Sequence, residues 1–543
     1  MMQVASFLTE QLKAWGVARI YGVAGDALFA WLDALGRQDD IQFVSCRHEA
    51  AAAMMASAEA KLTGKPAVCA ATMGPGTVNL LNGLADAWAD QVPVVAITGQ
   101  VETCKMGGGY KQYVPQEDLM RPLCAYTTTV THPQAIGEVL HQAFTAAARQ
   151  KGVAHIAICK DVFSQTTTSP VLPQLPWIPS AVRPDRMDLE HAAEHLLRAK
   201  KPLLLLGAGA RQDREGCRRL AEQLGAGILL TLGAKGTVEE SHPLVLGGLG
   251  EGGSEAALQA LAEADLLLIL GASWFPRSFI PKGLKIIQVD TNSQSIHAHP
   301  GLISVTATLD DVLPLWMRRL KSRQLDHAWE ERVERWHARF WEETQSLTKQ
   351  ADGERVKPET LLHTVGRLVR EDAIITLDTG EHTLWFNRAF RAVAQTPLFS
   401  GKWRTMGYGL PAAIAAKLTY PQRQVVCITG DGGLQMQLGE WMTAVEQRVS
   451  LLLIVVNNAT LGLEQIRMQQ EGYRPFATKL LNPDFVRFAE ACGSAAKAVH
   501  KVGELEDAIT QGLSTDQLTL LDVKCTAPTL SERKKQIPFQ AQA

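Results

Sequence analysis

The chain lacks several features that would place it in a specialised class of proteins. Its nine cysteines include no Cys-x-x-Cys pair and no Cys/His cluster, which favours reduced thiols and argues against a zinc site. No apolar run approaches the roughly 18 residues that a membrane span requires. Lysine and arginine (54) nearly balance aspartate and glutamate (56) without a basic block, so the charge pattern indicates no nucleic-acid partner.

The two ends of the chain carry no pattern typical of targeting or anchoring. The opening MMQVASFLTEQLKAWG has no basic region followed by an apolar core, and it predicts an amphipathic helix rather than a signal peptide. The closing SERKKQIPFQAQA has no amphipathic pattern of the kind that holds a protein on a membrane. We therefore expect a cytoplasmic protein without a membrane anchor.

The composition is that of a soluble globular protein, with 46% hydrophobic and 20% charged residues, and the length suggests about three domains. Apolar strand patterns that end in glycine alternate with helical patterns, which predicts parallel sheets with helices on both faces. We expect an α/β fold of three doubly wound parallel-sheet domains. The predicted segments are a first domain (1–168), a proline-rich linker (169–184), a middle domain (185–325), a helical connector (326–354), a third domain (355–530) and a tail (531–543).

The segment Val425–Gly462 is the most informative part of the chain. A buried-strand pattern leads into Gly430-Asp431-Gly432-Gly433, and a second buried strand ends in Asn457-Asn458. In a parallel sheet the carboxyl ends of neighbouring strands meet, and ligands bind there. A carboxylate and an amide oxygen at such a place suit Mg²⁺, which also takes oxygens from a phosphate.

This segment resembles the GDG…NN signature of thiamine-diphosphate enzymes. The resemblance implies that Asp431, Asn458 and the backbone carbonyl of Thr460 hold a magnesium ion. It also implies that three glycines of the segment, Gly432, Gly433 and Gly462, lie against the diphosphate of the cofactor. An ordinary strand–turn–helix is the alternative interpretation of the same residues.

Glu49 is the candidate catalytic residue outside that segment. It follows a strand pattern in Arg47-His48-Glu49 and precedes an alanine-rich helix, where a carboxylate is favoured by the helix dipole alone. The context resembles the family segment whose glutamate hydrogen-bonds N1′ of the aminopyrimidine. The resemblance implies a proton shuttle that generates the C2 carbanion of the thiazolium, which attacks a 2-oxo acid.

Other residues of the first domain match the family more locally. Gly74-Pro75-Gly76 with Asn79 resembles the segment beside the pyrimidine, and Gly25 lies in the turn after the first strand. Gln112 stands where the oxidase and acetolactate-synthase branches carry a glutamine directed at substrate. Lys111 and Tyr113 replace the Phe and Glu that usually flank it, which leaves the choice of substrate open.

The third domain adds further predicted contacts. Met406, in Thr405-Met406-Gly407, matches the large apolar residue that holds the cofactor in its V shape, although a buried Met is often plain core. Gly380 and Glu381 follow a strand at the position that contacts diphosphate in relatives. His382 is either a substrate contact or a capping or surface histidine.

The middle domain resembles the FAD-binding domain of pyruvate oxidases. The residues that this resemblance assigns to FAD are Gly207, Gly209, Gly233, Lys235, Gly271, Arg277 and Asp290. Against it, Ala307-Thr308-Leu309-Asp310 stands where FAD relatives show Gly-Asp. The alternatives are an α/β domain retained for assembly, or ADP in place of FAD.

As a whole, the chain is identified as similar to the pyruvate oxidase and acetolactate synthase branch of the family. The leading hypothesis is decarboxylation of pyruvate or a similar small 2-oxo acid, followed by oxidation through FAD. The alternative is carboligation to an acceptor with FAD structural or absent. Leu463 and Arg467 weaken the case for electron transfer to FAD, because the oxidases carry an aromatic residue and a Glu there. A third hypothesis is a catalytically silent cofactor-binding homologue. The resemblance also implies a homodimer or homotetramer whose sites combine Glu49 of one chain with Asp431 of another.

Overall fold

The structure is a computed structural model that describes residues 1–173, 184–296 and 298–526. Within these ranges the chain forms three six-stranded sheets and one two-stranded sheet. Most of the predicted linker (174–183) and the whole predicted tail (531–543) lie outside the described residues. In the part of the chain that is described, no helix has the length and apolar character needed to cross a membrane.

The N-terminal sheet is entirely parallel. Its strands in chain order are β2 (Arg19–Gly22), β3 (Gln42–Ser45), β4 (Ala67–Ala71), β5 (Val94–Gln100), β6 (Cys124–Val130) and β7 (Val153–Cys159), and the outlying β1 (Met2–Gln3) pairs antiparallel with β8 (Thr166–Thr167). The helices of this domain are α1 (Val4–Ala14), α2 (Phe29–Leu35), α3 (Glu49–Thr63), α4 (Pro75–Ala89), α5 (Gln116–Met120) and α6 (Ile136–Gln150). The sheet order is β3-β2-β4-β5-β7-β6.

The middle sheet is also parallel. Its strands are β9 (Pro202–Leu206), β10 (Gly227–Leu230), β11 (Val245–Gly248), β12 (Leu266–Leu270), β13 (Lys285–Asp290) and β14 (Leu302–Thr306), in the order β11-β10-β9-β12-β13-β14. The helices are α7 (Arg186–Arg198), α8 (Arg214–Leu224), α9 (Glu255–Glu263) and α10 (Leu309–Arg319), and α11 (His327–Thr348) follows in the predicted connector. Every residue of β9 and β12 is buried, because helices cover both faces of the sheet.

The C-terminal sheet repeats the parallel pattern. Its strands are β15 (Ile374–Leu377), β16 (Thr396–Phe399), β17 (Val425–Gly430), β18 (Leu452–Asn457), β19 (Ala495–Val499) and β20 (Thr519–Lys524), in the order β16-β15-β17-β18-β20-β19. The helices are α12 (Pro358–Leu368), α13 (His382–Ala389), α14 (Gly409–Thr419), α15 (Asp431–Met436), α16 (Glu440–Glu446), α17 (Gly462–Gln470), α18 (Phe485–Ala491) and α19 (Leu505–Leu513).

Comparison of the sheet orders separates the three domains into two kinds. When the strands of each sheet are numbered along the chain, the first and third sheets both read 2-1-3-4-6-5, whereas the middle sheet reads 3-2-1-4-5-6. The prediction of three α/β domains with parallel sheets is therefore confirmed. In sheets of this kind ligands bind at the carboxyl edge where the strand order reverses.

The first and third domains share one hydrophobic core. The alanine-rich α3 packs against α14, which is also rich in alanine, and both contribute to a single cluster of buried side chains. Small side chains allow the two helix backbones to approach closely. This contact fixes the carboxyl edges of the two sheets relative to each other within one chain.

Candidate active site

A cavity at the carboxyl edge of the C-terminal sheet collects the predicted cofactor residues of the third domain. All of them line it: Gly380, Glu381, Met406, Asp431, Gly432, Gly433, Asn458, Thr460 and Gly462. They come from the segments that follow β15, β17 and β18, together with the loop before α14. The strand order reverses between β15 and β17, so the cavity lies at the topological switch point.

Asp431 is held in one orientation by three hydrogen bonds. It is the first residue of α15, directly after β17. Its Oδ2 accepts from the backbone N–H of Ala459 at 2.7 Å and from Nδ2 of Asn482 at 2.7 Å, and its Oδ1 accepts from the N–H of Gly432 at 3.0 Å. Burial raises the pKa of this carboxyl, and these hydrogen bonds oppose the rise.

The two consecutive asparagines have different roles. Asn457 ends β18, and its Nδ2 donates to Oδ1 of Asp522 at 2.8 Å, so its side chain belongs to the sheet. Asn458 lines the cavity, and its Oδ1 accepts from the N–H of Thr460 at 3.1 Å. Successive side chains of an extended segment point in opposite directions, which accounts for the division.

The glycines of the cavity are required by space. A Cβ on Gly433 would lie 2.8 Å from Cγ of Asp378, one on Gly432 would lie 3.0 Å from Leu461, and one on Gly462 would lie 2.5 Å from Oε2 of Glu381. The floor of the cavity is therefore formed by backbone atoms, and the side-chain oxygens of Asp431 and Asn458 lie beside it. A diphosphate can approach such a surface closely, and Mg²⁺ can take oxygens from both sides, so the residues present fit both groups.

The predicted metal position has no dense cluster of ligands around it. Among the described residues, no group of three or more His, Cys, Asp or Glu side chains is arranged to hold a metal. Asp431 and Asn458 supply two side-chain oxygens only. This poor protein ligand set is typical of Mg²⁺, which keeps waters and substrate phosphates as its remaining ligands.

Asp378 is a structural residue of the site that the sequence did not single out. It is fully buried after β15, and its carboxylate accepts from the N–H of Gly407 at 2.8 Å and from Oγ1 of Thr429 at 3.1 Å, among four donors in all. Burial raises its pKa to about 6. It joins the loop of Met406 to the ends of β15 and β17. Its place at the end of a buried strand was the available signal.

His382 is neither at the surface nor free to titrate near neutrality. It begins α13, lines the cavity and is buried, and its Nε2 lies 2.7 Å from the backbone oxygen of Asp378. Burial lowers its pKa to about 4, which keeps the ring neutral near neutral pH. The interpretation as a surface histidine is therefore wrong.

The first domain assembles a second group of predicted residues. Glu49 is the first residue of α3, and His48 caps this helix by accepting from the N–H of Ala50 at 3.1 Å. Nδ2 of Asn79 donates to Oε2 of Glu49 at 2.9 Å. A Cβ on Gly76 would lie 3.2 Å from Oε1 of Glu49, so this glycine leaves room beside the carboxylate.

The remaining predicted residues of this domain lie in neighbouring loops of the first domain. Gly74 has a φ of +62°, and a Cβ there would meet the backbone oxygen of Gln112 at 2.6 Å. Gln112 itself has a φ of +63° and is exposed. A Cβ on Gly25 would lie 2.3 Å from Cβ of Thr72, so the loops after β2 and β4 touch.

Glu440 connects the third domain to the Glu49 segment of the same chain. Its Oε1 accepts from the N–H groups of Arg47 and His48, both at 2.9 Å. The contact holds the residues immediately before α3 in place. The sequence carried no signal for this role, since Glu440 is one acidic residue among many.

The two groups of residues do not share an opening within one chain. Every residue that lines the Asp431 cavity comes from the third domain. Asn79, the partner of Glu49, instead lines a separate opening with Arg47 and Glu440. Within one chain the two groups of predicted residues therefore lie at two separate openings.

The predicted FAD glycines of the middle domain lie at its own switch point, between β9 and β12. A Cβ on Gly207 would lie 2.2 Å from the oxygen of Gly271, and one on Gly209 would lie 3.0 Å from Cα of Gly271. Gly271 has a φ of +59°. The glycines are thus needed for loop-to-loop packing, which leaves backbone at this edge.

Three other predicted FAD residues lie around the same sheet. Asp290 ends β13, and its Oδ1 accepts from the N–H of Asn292 at 2.9 Å. Arg277 is exposed. A Cβ on Gly233 would lie 3.1 Å from Cβ of Ala208, in the loop that contains Gly207 and Gly209. Strand order, glycine edge and a strand-end aspartate together fit a dinucleotide.

Lys235, the last of the predicted FAD residues, is fully buried. Its Nζ lies 2.6 Å from Oε1 of Glu240, and both side chains are inaccessible to solvent. The same ammonium lies 3.3 Å from the backbone oxygen of Asn387, which belongs to the third domain. Burial lowers the pKa of Lys235 to about 8, although Glu240 opposes that change. These contacts indicate an interdomain structural role, while contact with FAD stays a prediction.

Replacing Lys235 tests that structural role. Lys235→Met is expected to lower the free energy of unfolding by roughly 3–5 kcal/mol, because Glu240 would be left buried without its closest cation. Thermal unfolding of the cofactor-free protein measures the effect, and Lys282→Met, at an exposed lysine of the same domain, is the control. A Lys235→Met protein that unfolds like the wild type but loses flavin would contradict this assignment.

Comparison with known proteins identifies the three domains. The models of the thiamine pyrophosphate enzyme family match in order: the N-terminal TPP binding domain over residues 2–120, the central domain over 189–314 and the C-terminal TPP binding domain over 378–523. Each match falls within one of the three domains described above, and the N-terminal match ends before β6 and β7 of the first sheet.

Relatives align over nearly the whole chain. The chain is 34% identical to the thiamine pyrophosphate-containing protein YdaP of Bacillus subtilis (strain 168), over 95% of this chain and 90% of that protein. It is 30% identical to a pyruvate oxidase of Lactiplantibacillus plantarum, over 93% and 85% of the two chains. It is 33% identical to the acetolactate synthase isozyme 1 large subunit of Escherichia coli (strain K12), over 84% and 82%. The chain therefore belongs to the thiamine pyrophosphate enzyme family, in the branch that contains pyruvate oxidase and acetolactate synthase.

Proposed function

We propose that this protein decarboxylates pyruvate or a similar small 2-oxo acid with thiamine diphosphate and Mg²⁺, and then oxidises the product through FAD. The observation that carries the proposal is the pair of half-sites. One contains a glycine-floored cavity with Asp431 and Asn458, and the other a buried carboxylate, Glu49, with Asn79 bonded to it. Together they provide what the two ends of this cofactor require.

The residues have separate tasks in this proposal. Thiamine diphosphate, when bound, supplies the carbon nucleophile and the electron sink for decarboxylation. Asp431, Asn458 and the carbonyl of Thr460 would hold Mg²⁺ against the diphosphate, and Met406 would support the bend between the rings. Glu49 would hold and move a proton at N1′ of the aminopyrimidine.

Two chains would build each site. The Asp431 cavity has no lining residue from the first domain of its own chain, so a Glu49 from a second chain would complete it. We therefore expect a homodimer, or a homotetramer made of two such dimers.

Dilution tests the requirement for two chains. Specific activity is expected to fall as the protein is diluted below the dissociation constant of the dimer, because each site would lose one half. Analytical ultracentrifugation in parallel with activity measurements would show whether the two transitions coincide. A monomer with full activity would contradict the shared site.

The step after decarboxylation is where the second candidate function arises. The strand order of the middle domain and Asp290 at the end of β13 support FAD, which when bound supplies a two-electron acceptor. However, Leu463 lines the cavity, and Arg467 stands in place of an acidic residue of the oxidases. These two residues favour carboligation to an acceptor, with FAD structural or absent.

Anaerobic addition of pyruvate distinguishes these functions. The visible spectrum of the purified protein is recorded first, and pyruvate is then added without oxygen. Bleaching of a flavin band would support the oxidase, whereas an unchanged flavin band with acetolactate formed would support the carboligase. Purified protein that cannot bind thiamine diphosphate would contradict both.

A further inference from the structure

Arg404 has a backbone conformation that normally belongs to glycine. Its φ is +58°, in the left-handed region that side chains other than glycine rarely adopt. It precedes the cavity residue Met406 by two positions. Strain of this kind persists when the surrounding structure enforces it, and it is concentrated at functional sites.

The loop around Arg404 is fixed from both sides. The carboxylate of Asp90 accepts from the N–H groups of Gly401 and Lys402, both at 2.8 Å. On the other side, Oδ1 of Asn82 accepts from the indole of Trp403 at 2.8 Å, and its Nδ2 donates to Oγ1 of Thr405 at 3.0 Å. Neighbours on both sides of Arg404 are therefore bonded to the first domain.

The guanidinium of Arg404 is not used by the rest of the described chain. It forms no hydrogen bond and no ion pair within residues 1–173, 184–296 and 298–526. Burial lowers the pKa of Arg404, while the negative charge of Glu251, in the loop of the middle domain after β11, opposes that change and the positive charge of Arg467 adds to it. The strained backbone at this position thus carries a guanidinium whose N–H donors are not used by the described residues.

Arg467 is a second cation close in sequence to a residue that lines the same cavity. Leu463 lines the cavity near the start of α17, and Arg467 lies one turn further along the same face of that helix. Its ion pairs with Glu464 and Glu251 are 3.6 and 3.7 Å long, and its side chain is 45% exposed. Direct charge-assisted hydrogen bonds are shorter, about 2.7–2.9 Å, so these pairs are loose.

We propose that Arg404 and Arg467 form an anion subsite at the mouth of the Asp431 cavity, and that the physiological substrate is a 2-oxo acid with a second anionic group at its far end. The reactive 2-oxo end would enter the cavity past Leu463. The second anion would then replace Glu251 as the partner of Arg467 and bond to Arg404. This inference rests on the proposed function, of which it specifies the substrate class.

Binding of unreactive acids tests the subsite directly. Calorimetric titration of the holoenzyme with glutarate and with pentanoate compares two five-carbon acids that differ by one carboxylate. We expect glutarate to bind at least about tenfold more tightly than pentanoate, and Arg404→Gly to remove that advantage. Since glycine adopts a φ of +58° without strain, this variant should melt no lower than the wild type. Equal affinities for the two acids in the wild type would overturn the proposal.

Turnover tests the same subsite in the reaction. The ratio of kcat/KM for 2-oxoglutarate to that for 2-oxopentanoate should exceed one in the wild type. It should fall about 10–100-fold in Arg404→Gly and recover partly in Arg404→Lys. A ratio that is the same in the wild type and Arg404→Gly would overturn the subsite. Failure to release CO₂ from either acid and from pyruvate would instead reject the proposed function, and the titrations with glutarate would still decide the subsite.

Glu251→Gln tests the subsite through an expected gain in glutarate affinity, whereas Arg404→Gly tests it through a loss. Removing the carboxylate that competes for Arg467 should strengthen glutarate binding several-fold. The phosphates of FAD are the other anions that Arg404 could bind, and measuring the flavin content of the Arg404→Gly variant distinguishes them from a substrate carboxylate. If Arg404→Gly lost flavin while the comparison of glutarate with pentanoate stayed as in the wild type, the subsite would be overturned.

Discussion

Glu49→Gln is expected to lower turnover by about 10²–10⁴-fold, the range typical of a lost general acid–base group, without unfolding the protein. Glutamine keeps the size of the side chain and can still accept from Asn79, whose Nδ2 lies 2.9 Å from the carboxylate. What it loses is the ability to hold and release a proton. Steady-state kinetics with pyruvate measure the effect, and circular dichroism and thiamine-diphosphate titration show whether fold and cofactor binding remain.

Asn79→Ala is a useful companion to that variant. It removes the hydrogen bond that orients Glu49 but leaves the carboxylate, so its effect on turnover should be smaller than that of Glu49→Gln. Near wild-type turnover in Glu49→Gln would reject the assignment of the catalytic proton to this residue.

Asp431→Ala is expected to weaken binding of thiamine diphosphate by about 10–200-fold and to abolish activity at ordinary cofactor concentrations. The variant removes the predicted charged metal ligand, leaves the N–H of Ala459 without its acceptor and takes away one of the two acceptors of Nδ2 of Asn482. Titration of the cofactor-free protein with thiamine diphosphate at several Mg²⁺ concentrations measures the loss. Because the carboxylate acts through the metal, the affinity of the variant should depend less on Mg²⁺ than that of the wild type.

Asn457→Ala is the matched control for that prediction. Asn457 is adjacent to the cavity residue Asn458, but its Nδ2 donates to Asp522 inside the sheet and its Oδ1 accepts from Nδ2 of Asn482 at 2.9 Å. The control should therefore lower stability and reduce cofactor affinity less than Asp431→Ala does, because Asp431 itself and its N–H donors remain. Equal losses of affinity in Asn457→Ala and Asp431→Ala would indicate that the loops have collapsed and would contradict a specific metal-binding role for Asp431.

Mixing the two catalytic variants tests the shared site. In a heterodimer of Glu49→Gln and Asp431→Ala chains, one site carries both substitutions and the other carries neither. Random reassociation should restore about a quarter of wild-type activity, since half of the dimers then have one intact site out of two. No recovery after verified subunit exchange would mean that both residues act within one chain.

Local sequence patterns were sufficient to predict which residues lie together in much of this site. Asp431 and Asn458 each follow a buried strand, and the carboxyl ends of neighbouring parallel strands meet at one edge, so their proximity could be predicted. All the predicted cofactor residues of the third domain line one cavity for the same reason. Glu49 and Asn79, from two such segments of the first domain, are hydrogen-bonded to each other.

Other features depend on residues that are far apart in the chain. Asn482 and Asp378 support the metal segment and the Met406 loop, but neither belongs to a motif. Lys235 lies in a glycine-rich loop like a ligand contact, yet its ammonium is paired with Glu240. No periodicity of side chains predicts which partner a buried charge will meet.

The sequence by itself determined the fold class, the enzyme family and the grouping of the candidate cofactor residues of the third domain around one cavity, because these are carried by strand ends and by short segments that follow them. Only the tertiary structure decided that the first and third sheets have the same strand order without any visible repeat, since strand order depends on long-range pairing. It also decided that the predicted residues of the first and third domains lie at separate openings of one chain and that Arg404 has a left-handed backbone. These outcomes depend on packing between domains, where hydrogen bonds from Asp90 and Asn82 enforce a conformation that no local preference favours.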